Sequence, residues 1–180
     1  PMEITPQKPM DEMTPSERLG LVKLLVMEFE GVVSDGRTQT DDQGRQSAAT
    51  LRADELGLAA WLAEGNQAVV IARQGYAPAR HWAQANRVTF REHTGQKNTC
   101  LQAIVFEHMS QPRHLCYVGC DLDDLPAMNI AGTAVAVAGA NPWCQSAAHL
   151  VLSRPGGGGA LRELIDLMLK DRTPQATPGI

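Results

Sequence analysis

Residues 21–36 read LVKLLVMEFEGVVSDG and join an apolar run to a short acidic segment. The run from Leu21 to Met27 is almost continuously apolar and has the length of one strand buried on both faces of a sheet. Two carboxylates, Glu28 and Glu30, follow directly, and Gly31 interrupts the chain after them. The pattern therefore predicts a central parallel strand that ends in an acidic turn.

Short apolar runs of the same kind alternate with helical patterns along the rest of the chain. Strands are predicted at Ala68 to Ala72, Arg87 to Phe90, His114 to Gly119, Thr133 to Ala138 and His149 to Leu152. Helices are predicted at Asp54 to Ala63, Pro78 to Asn86, Asn98 to Met109, Leu125 to Ile130 and Ala160 to Lys170. This alternation is typical of an α/β protein with a doubly wound, Rossmann-like parallel sheet and helices on both faces.

The segment between the first strand and the next helix is too short for a separate domain. Residues 38–40 and 46–50 flank the turn-rich Asp41-Asp42-Gln43-Gly44-Arg45, which predicts a β-hairpin and no cap domain. Residues 1–13 carry three prolines and are interpreted as a flexible arm, and 173–180 as a flexible tail. One domain is expected at 14–172, and its first helix starts at Thr14 with Glu17 placed to close a capping box.

Composition excludes several classes of partner. The 180 residues carry 16 basic and 20 acidic side chains, a formal net charge of −4, which argues against nucleic acid or an anionic membrane as the main partner. No apolar run has the roughly 18 residues of a membrane span, so a cytoplasmic protein is expected. The four cysteines have neither zinc-finger spacing nor a C-x-x-C pair and are interpreted as reduced, mostly buried thiols.

Chemically active side chains follow the predicted strands where each strand ends. Carboxyl ends of parallel strands form the ligand crevice of an open α/β sheet. Glu28 and Glu30 follow the first strand, Arg73 the second, and Cys120 and Asp121 the third. The alternative from these residues alone is an ordinary solvated acidic loop, in a chain that carries 20 acidic residues. The scattered histidines are interpreted as structural or solvent-facing.

Six segments carry a resemblance to a known family. They occur in the family's order and are residues 22–37 (VKLLVMEFEGVVSDGR), 52–57 (RADELG), 72–74 (ARQ), Lys97, 119–128 (GCDLDDLPAM) and 156–163 (GGGGALRE). Together they resemble the capless branch of the haloacid dehalogenase superfamily. That branch contains the 3-deoxy-manno-octulosonate 8-phosphate phosphatases and the C-terminal domain of some CMP-sialic acid synthetases.

The resemblance implies a role for each matching position. Glu28 occupies the place of the aspartate that attacks phosphorus, and Glu30 that of the general acid and base. Ala72 stands where the family has a phosphate-binding hydroxyl, Lys97 matches the phosphate-binding lysine, and Cys120 replaces a magnesium-binding aspartate. Four of these five positions differ from the family pattern.

The resemblance also implies substrate and metal contacts outside these five positions. Arg73 and Arg52, with Ala72, match the substrate-binding positions. The metal set would be Glu28, Glu30, Cys120 and Asp121. A thiol is a poor ligand for the hard Mg²⁺ ion, so magnesium binding is expected to be weak or lost. Gly158 replaces an arginine that the octulosonate phosphatases usually carry.

Each departure has a physical cost. Glutamate moves a carboxylate by about one methylene, and a displacement near 1 Å can cost on the order of a hundredfold in rate. Loss of the hydroxyl at Ala72 removes one donor to developing charge, worth roughly 3 kcal/mol in comparable sites. These costs favour a catalytically impaired phosphatase-like domain that acts as an oligomerisation or regulatory module. The alternative is an active phosphomonoesterase with a remodelled site, acting on an octulosonate or sialic-acid-like nonulosonate phosphate.

The partners follow from the same resemblance. In the family, the hairpin packs into a neighbouring subunit and four subunits close a ring. A homotetramer is therefore expected here, because an isolated two-stranded hairpin is marginally stable in water. A fused or associated cytidylyltransferase is the second expected partner, by analogy with the CMP-sialic acid synthetases.

Overall fold

The computed structural model of the chain describes residues 8–170. Eight strands and seven α-helices lie within them. The strands are β1 Leu24–Glu28, β2 Gln39–Thr40, β3 Gln46–Ser47, β4 Gln67–Arg73, β5 Thr89–His93, β6 Leu115–Gly119, β7 Thr133–Ala138 and β8 Leu150–Pro155. The helices are α1 Pro15–Leu21, α2 Arg52–Ala63, α3 Ala77–Asn86, α4 Lys97–Glu107, α5 Leu125–Met128, α6 Pro142–Ala147 and α7 Ala160–Lys170.

Six parallel strands form the main sheet in the order β5-β4-β1-β6-β7-β8. All five residues of β1 and all five of β6 are buried, as expected for aliphatic strands covered on both faces by helices. Since β1 lies between β4 and β6, the loops that follow these three strands meet at one edge. The predicted doubly wound α/β fold is confirmed.

The hairpin follows β1, as predicted. Strands β2 and β3 pair antiparallel in a sheet of their own, with exposed side chains. Asp41 holds the turn because its Oδ1 accepts hydrogen bonds from the backbone N–H groups of Gln43 and Arg45 at 3.0 and 2.8 Å. Between β1 and α2 the described residues form one π-helical turn, Phe29–Val33, and this hairpin, and no cap domain is present among them.

The structure differs from the sequence prediction at two places, and a helix cap lies at each of them. Helix α1 begins with the expected capping box of Thr14 and Glu17 and continues to Leu21, so β1 starts at Leu24 instead of Leu21. The sequence prediction missed α6. That helix begins with Pro142 in its first turn, and Asn141 Oδ1 accepts a hydrogen bond from the Trp143 N–H at 3.0 Å.

The glycine run after β8 passes directly over the turn that follows β1. A Cβ atom added to Gly156 would lie 1.9 Å from the carbonyl oxygen of Gly31, so only glycine permits this approach. The Gly157 N–H donates to the Val32 carbonyl oxygen at 3.0 Å. The run therefore ties the end of β8 to the acidic turn.

Residues 1–7 of the predicted arm and the whole of the predicted tail, 173–180, lie outside the described residues. Within the arm, Met10–Glu12 forms one 3-10 turn, and Lys8 forms an ion pair with Glu17 at 2.9 Å. No helix between residues 8 and 170 combines the length and the apolarity needed to cross a membrane. All four cysteines are free thiols; Cys116 and Cys144 are buried, and Cys100 and Cys120 are partly exposed.

Candidate active site

A cleft of about 840 Å³ opens at the carboxyl edge of the sheet, where the loops after β1, β4 and β6 meet. Six of the eight residues predicted for the site line it: Glu28, Glu30, Arg73, Lys97, Cys120 and Asp121. The order of the strands brings these residues together from four separate segments of the chain.

The other two predicted residues do not line the cleft. Ala72 is fully buried within β4. Arg52 begins α2, is largely exposed, and forms an ion pair with Glu55 at 3.1 Å. Arg52, which was expected to bind substrate, therefore lies outside this cleft in the single subunit, and its role in substrate binding stays a prediction.

Lys97 is the centre of a buried cluster of charges. Its side chain is 2% exposed, and Nζ lies 2.6 Å from Glu28 Oε2, 2.7 Å from Asp124 Oδ1 and 2.9 Å from Asp123 Oδ2. An ammonium group has three N–H donors and no acceptor. Three carboxylates therefore surround the one buried ammonium group.

Asp124 orders the turn that follows β6. It is fully buried and accepts hydrogen bonds from Tyr117 Oη at 2.6 Å, the Cys120 N–H at 2.7 Å and the Asp121 N–H at 3.0 Å. Its carboxylate therefore fixes the main chain at Cys120 and Asp121 while it also holds Lys97.

The buried pair of Glu28 and Lys97 has strongly shifted acidities. Burial raises the pKa of Glu28 well above its usual value; Lys97 opposes this change, while Asp124 and Glu30 add to it. Burial alone would lower the pKa of Lys97, but the Glu28 and Asp124 carboxylates outweigh it, and the pKa lies above its usual value. Lys97 therefore stays charged at neutral pH.

Glu30 lies in the cleft, where few polar groups compensate the burial of its carboxylate. Both of its carboxylate oxygens are inaccessible and have no hydrogen-bond partner among residues 8–170, and Oε1 lies 3.6 Å from Nη1 of Arg73. The Arg73 guanidinium stacks 4.0 Å from the centroid of the Tyr76 ring. Tyr76 Oη in turn shares a 2.9 Å hydrogen bond with Thr38 Oγ1, at the base of the hairpin.

The Cys120 thiol faces the main chain of the acidic turn. Its Sγ donates a hydrogen bond to the carbonyl oxygen of Glu30 at 3.4 Å. Gly31 has φ +86°, and a Cβ added there would lie 2.5 Å from Sγ, so the thiol packs directly on the Gly31 backbone. Burial raises the pKa of the Cys120 thiol, with Asp124 and Glu28 acting in the same direction.

These contacts do not fit a magnesium ion. Mg²⁺ needs oxygen ligands in near-octahedral arrangement, whereas Cys120 presents a protonated sulfur whose hydrogen points at a main-chain oxygen. Between residues 8 and 170, no group of three or more His, Cys, Asp or Glu side chains is arranged to hold a metal ion.

Five further residues with polar or charged side chains line the cleft, and the sequence prediction did not assign them to the site: Asp35, Arg37, His93, Asp123 and Asn141. Asp35 and Arg37 belong to the same opening motif as Glu28, and this proximity was the available signal. His93 ends β5 and Asn141 follows β7, so both reach the cleft because of the strand order. His93, which the sequence analysis interpreted as structural or solvent-facing, thus lies at the edge of the cleft.

The comparisons with known proteins agree with the resemblance in the sequence. No family model matches the chain. The 3-deoxy-D-manno-octulosonate 8-phosphate phosphatase of Escherichia coli K12 is 30% identical over 153 residues, which cover 82% of this chain and 79% of that protein. The chain belongs to this phosphatase family of the haloacid dehalogenase superfamily. The Yersinia pestis phosphatase is 29% identical over 164 residues, covering 89% of this chain and 88% of that protein.

Solved structures of family members have the same fold. The 3-deoxy-D-manno-octulosonate 8-phosphate phosphatase of Moraxella catarrhalis, in complex with magnesium, phosphate and KDO, superimposes with a TM-score of 0.82 at 26% identity, covering 87% of this chain and 90% of that one. The cobalt-bound phosphatase of Haemophilus influenzae gives 0.81 at 28% identity, with 85% and 90% covered.

Proposed function

We propose that this chain is a member of the octulosonate phosphatase family with impaired phosphomonoester hydrolysis, and that it acts as an oligomerisation or regulatory module. The observation that carries the proposal is the enclosure of Lys97 by Glu28, Asp123 and Asp124. A phosphoryl group would have to compete with these carboxylates for the three donors of the ammonium group.

The charge of the cleft supports the same proposal. Five carboxylates line it, those of Glu28, Glu30, Asp35, Asp121 and Asp123, against three cationic side chains, those of Arg37, Arg73 and Lys97. A phosphomonoester carries up to two negative charges, so without a bound cation it meets a net repulsive field. The structure of the Moraxella catarrhalis relative is in complex with a magnesium ion; weak or absent magnesium binding belongs to the proposal for this chain.

The position of Glu28 supports impairment of the attack itself. Its side chain is 5% exposed, and its Oε2 is directed at Lys97. The carboxylate is paired with the Lys97 ammonium group at 2.6 Å, so its oxygen electrons are engaged and are less available to attack phosphorus. Ala72 offers no hydroxyl to the phosphoryl oxygens.

Turnover measurements test the proposal. With p-nitrophenyl phosphate or 3-deoxy-D-manno-octulosonate 8-phosphate and excess Mg²⁺, we expect the unmodified chain to be at background. The combined variant Glu28→Asp, Glu30→Asp, Ala72→Thr and Cys120→Asp should raise turnover by at least about a hundredfold. Adding Lys97→Met to that variant is the matched control and should return it to background. Rapid magnesium-dependent hydrolysis by the unmodified chain contradicts the proposal.

A second candidate function is favoured by one observation. Glu28, Glu30 and Lys97 still line a single open cleft, with Arg37 and Arg73 at hand for an acidic ligand. This arrangement suits a remodelled phosphomonoesterase that acts on an octulosonate or nonulosonate phosphate. The same turnover assay separates the two functions.

The proposed module would assemble as a homotetramer through its hairpin. The strands β2 and β3 are exposed and pair only with each other within the described residues, so they have a surface available for a neighbouring copy. Deletion of residues 41–45 should shift the mass measured by light scattering towards smaller species. A stable monomer of the unmodified chain at micromolar concentration refutes this assembly. An associated cytidylyltransferase and a cytoplasmic location stay predictions.

A further inference from the structure

The junction between the ends of β1 and β6 is closed by atoms of the chain itself. We call it the β1–β6 junction and define it by Glu28, Glu30, Lys97 and Cys120. At its main-chain side, the Cys120 thiol donates to the Glu30 carbonyl oxygen at 3.4 Å. The thiol also lies against Gly31, where an added Cβ would approach Sγ to 2.5 Å. The Glu30 carbonyl oxygen therefore accepts the hydrogen of an uncharged thiol, and the close packing against Gly31 leaves little space beside it.

Among the side chains of the junction, the positive charge of Lys97 balances the negative charge of the carboxylates. Nζ of Lys97 lies 2.6 Å from Glu28 Oε2 and 2.7 Å from Asp124 Oδ1, and both carboxylates are buried. The ammonium group thus supplies positive charge at the place where several carboxylates converge. A divalent cation there would be repelled by Lys97 and would find a sulfur in place of one oxygen ligand.

We infer that Cys120 closes the β1–β6 junction to divalent cations, and that a carboxylate at position 120 opens it. The inference rests on the proposed function and deepens it, because it assigns the loss of the cation to one side chain. The thiol suits the closed state since it has a hydrogen to donate to Glu30 and carries no charge.

A carboxylate at position 120 reverses both properties. It has no hydrogen for the Glu30 carbonyl oxygen, and it adds a negative charge close to Glu28 and Asp124. Without a cation, these oxygens repel one another; with one, they form a set of hard oxygen ligands. The Cys120→Asp variant is therefore expected to depend on divalent cations for its stability, whereas the unmodified chain is not.

The experiment measures binding of Mn²⁺ and Mg²⁺ alone, without any phosphate ester. Isothermal titration and the midpoint of thermal unfolding, Tm, are recorded for the unmodified chain and for Cys120→Asp. We expect at least about tenfold tighter Mn²⁺ binding by the variant. At a free cation concentration of about a hundred times Kd, its Tm should rise by about 5 to 10 °C relative to chelator. The unmodified chain should show the same Tm in both conditions.

Two control variants separate the site from general charge effects. Cys120→Ser keeps a hydrogen for the Glu30 carbonyl oxygen and adds no charge, so it should behave like the unmodified chain. His93→Asp adds a negative charge to the same cleft at the end of β5, three strand spacings or about 14 Å from β6. It should not produce a cation-dependent rise in Tm.

A third variant keeps the inference testable if Cys120→Asp fails to fold. Asparagine has nearly the same shape as aspartate and brings an oxygen ligand without charge. Cys120→Asn should therefore show a smaller cation-dependent rise in Tm than Cys120→Asp. Folding of Cys120→Asp only when Mn²⁺ is present also supports the inference. Micromolar Mn²⁺ binding by the unmodified chain overturns it, and so does a folded Cys120→Asp that gives no cation-dependent signal. These readouts involve no turnover, so the proposed function can fail in the hydrolysis assay while the inference stands, and the reverse.

Discussion

Replacement of Lys97 by methionine tests the buried charge cluster most directly. Methionine fills a similar volume but removes the ammonium group that contacts Glu28 and Asp124, whose side chains are 5% and 0% exposed. Removing one partner of a buried ion pair typically costs about 3 to 5 kcal/mol, because the remaining charge is uncompensated. Asp123 is 63% exposed and adds little to this cost.

Most of this loss of stability should come from Glu28, whose buried charge is left without a counter-ion. Asp124 keeps three donors after the substitution, from Tyr117 and from two backbone N–H groups. Within the described part of the chain, Glu28 Oε2 has no polar partner apart from Lys97. For a chain of this size, 1 kcal/mol shifts Tm by about 2 to 4 °C, so Tm should fall by about 6 to 20 °C at pH 8.

The sign of the pH dependence follows from the Glu28 carboxyl. Its pKa in the folded protein is raised by burial, and Lys97 is the influence that opposes this rise. Without Lys97 the pKa rises further, so the folded variant binds a proton more tightly than the unfolded one. Stability of the variant should therefore decrease as pH rises, and the deficit should shrink as pH falls towards about 5.

Urea denaturation, followed by the fluorescence of the buried Trp61 and Trp82, measures the free energy of unfolding. Measurements at about pH 5 and about pH 8 give both the loss of stability and its pH dependence. The matched control is Lys23→Met, an exposed lysine whose loss should change the free energy of unfolding by less than about 0.5 kcal/mol. Glu28→Gln in the Lys97→Met background should recover part of the loss. A Lys97→Met deficit below about 1 kcal/mol, or one independent of pH, refutes the assignment of Lys97 as the counter-ion of buried carboxylates.

Two further substitutions test the framework around the cleft. Asp54 is buried, accepts the Arg162 N–H at 2.7 Å near the start of α7, and has a pKa raised by burial. Asp54→Ala should therefore cost about 1 to 2 kcal/mol. Asp54→Asn should retain the cap, and its free energy of unfolding should decrease less than that of the unmodified chain as the pH rises from about 4 to about 7. Urea denaturation at several pH values measures this, and an equal pH dependence of the free energy of unfolding in the two proteins would contradict it. Gly31→Ala should cost at least about 2 kcal/mol because of its φ of +86° and the contact with Cys120 Sγ, whereas Gly20→Ala, which meets no atom within 4 Å, should not destabilise α1. Similar Tm values for the two alanine variants would argue against the close packing of Cys120 on Gly31.

Several features were determined by the sequence alone. The aliphatic runs of β1, β6 and β7 identified the buried strands because a strand covered on both faces needs apolar side chains at every position. The capping box of Thr14 and Glu17 is equally local and was predicted correctly. The order of the motifs also placed Glu28, Glu30, Lys97 and Cys120 at strand ends or helix starts, and the structure brings them into one cleft.

The partners of those side chains were decided by the tertiary structure. Glu28, Lys97 and Asp124 are far apart along the chain, and only the order β4-β1-β6 brings them within hydrogen-bond distance. The same order adds His93 to the cleft, while the path of the hairpin leaves Arg52 outside it. Residue type and spacing determine which strands and helices form, because they depend on neighbours in the chain. Which carbonyl oxygen the Cys120 thiol meets depends on how two loops pack, and no local pattern contains that information.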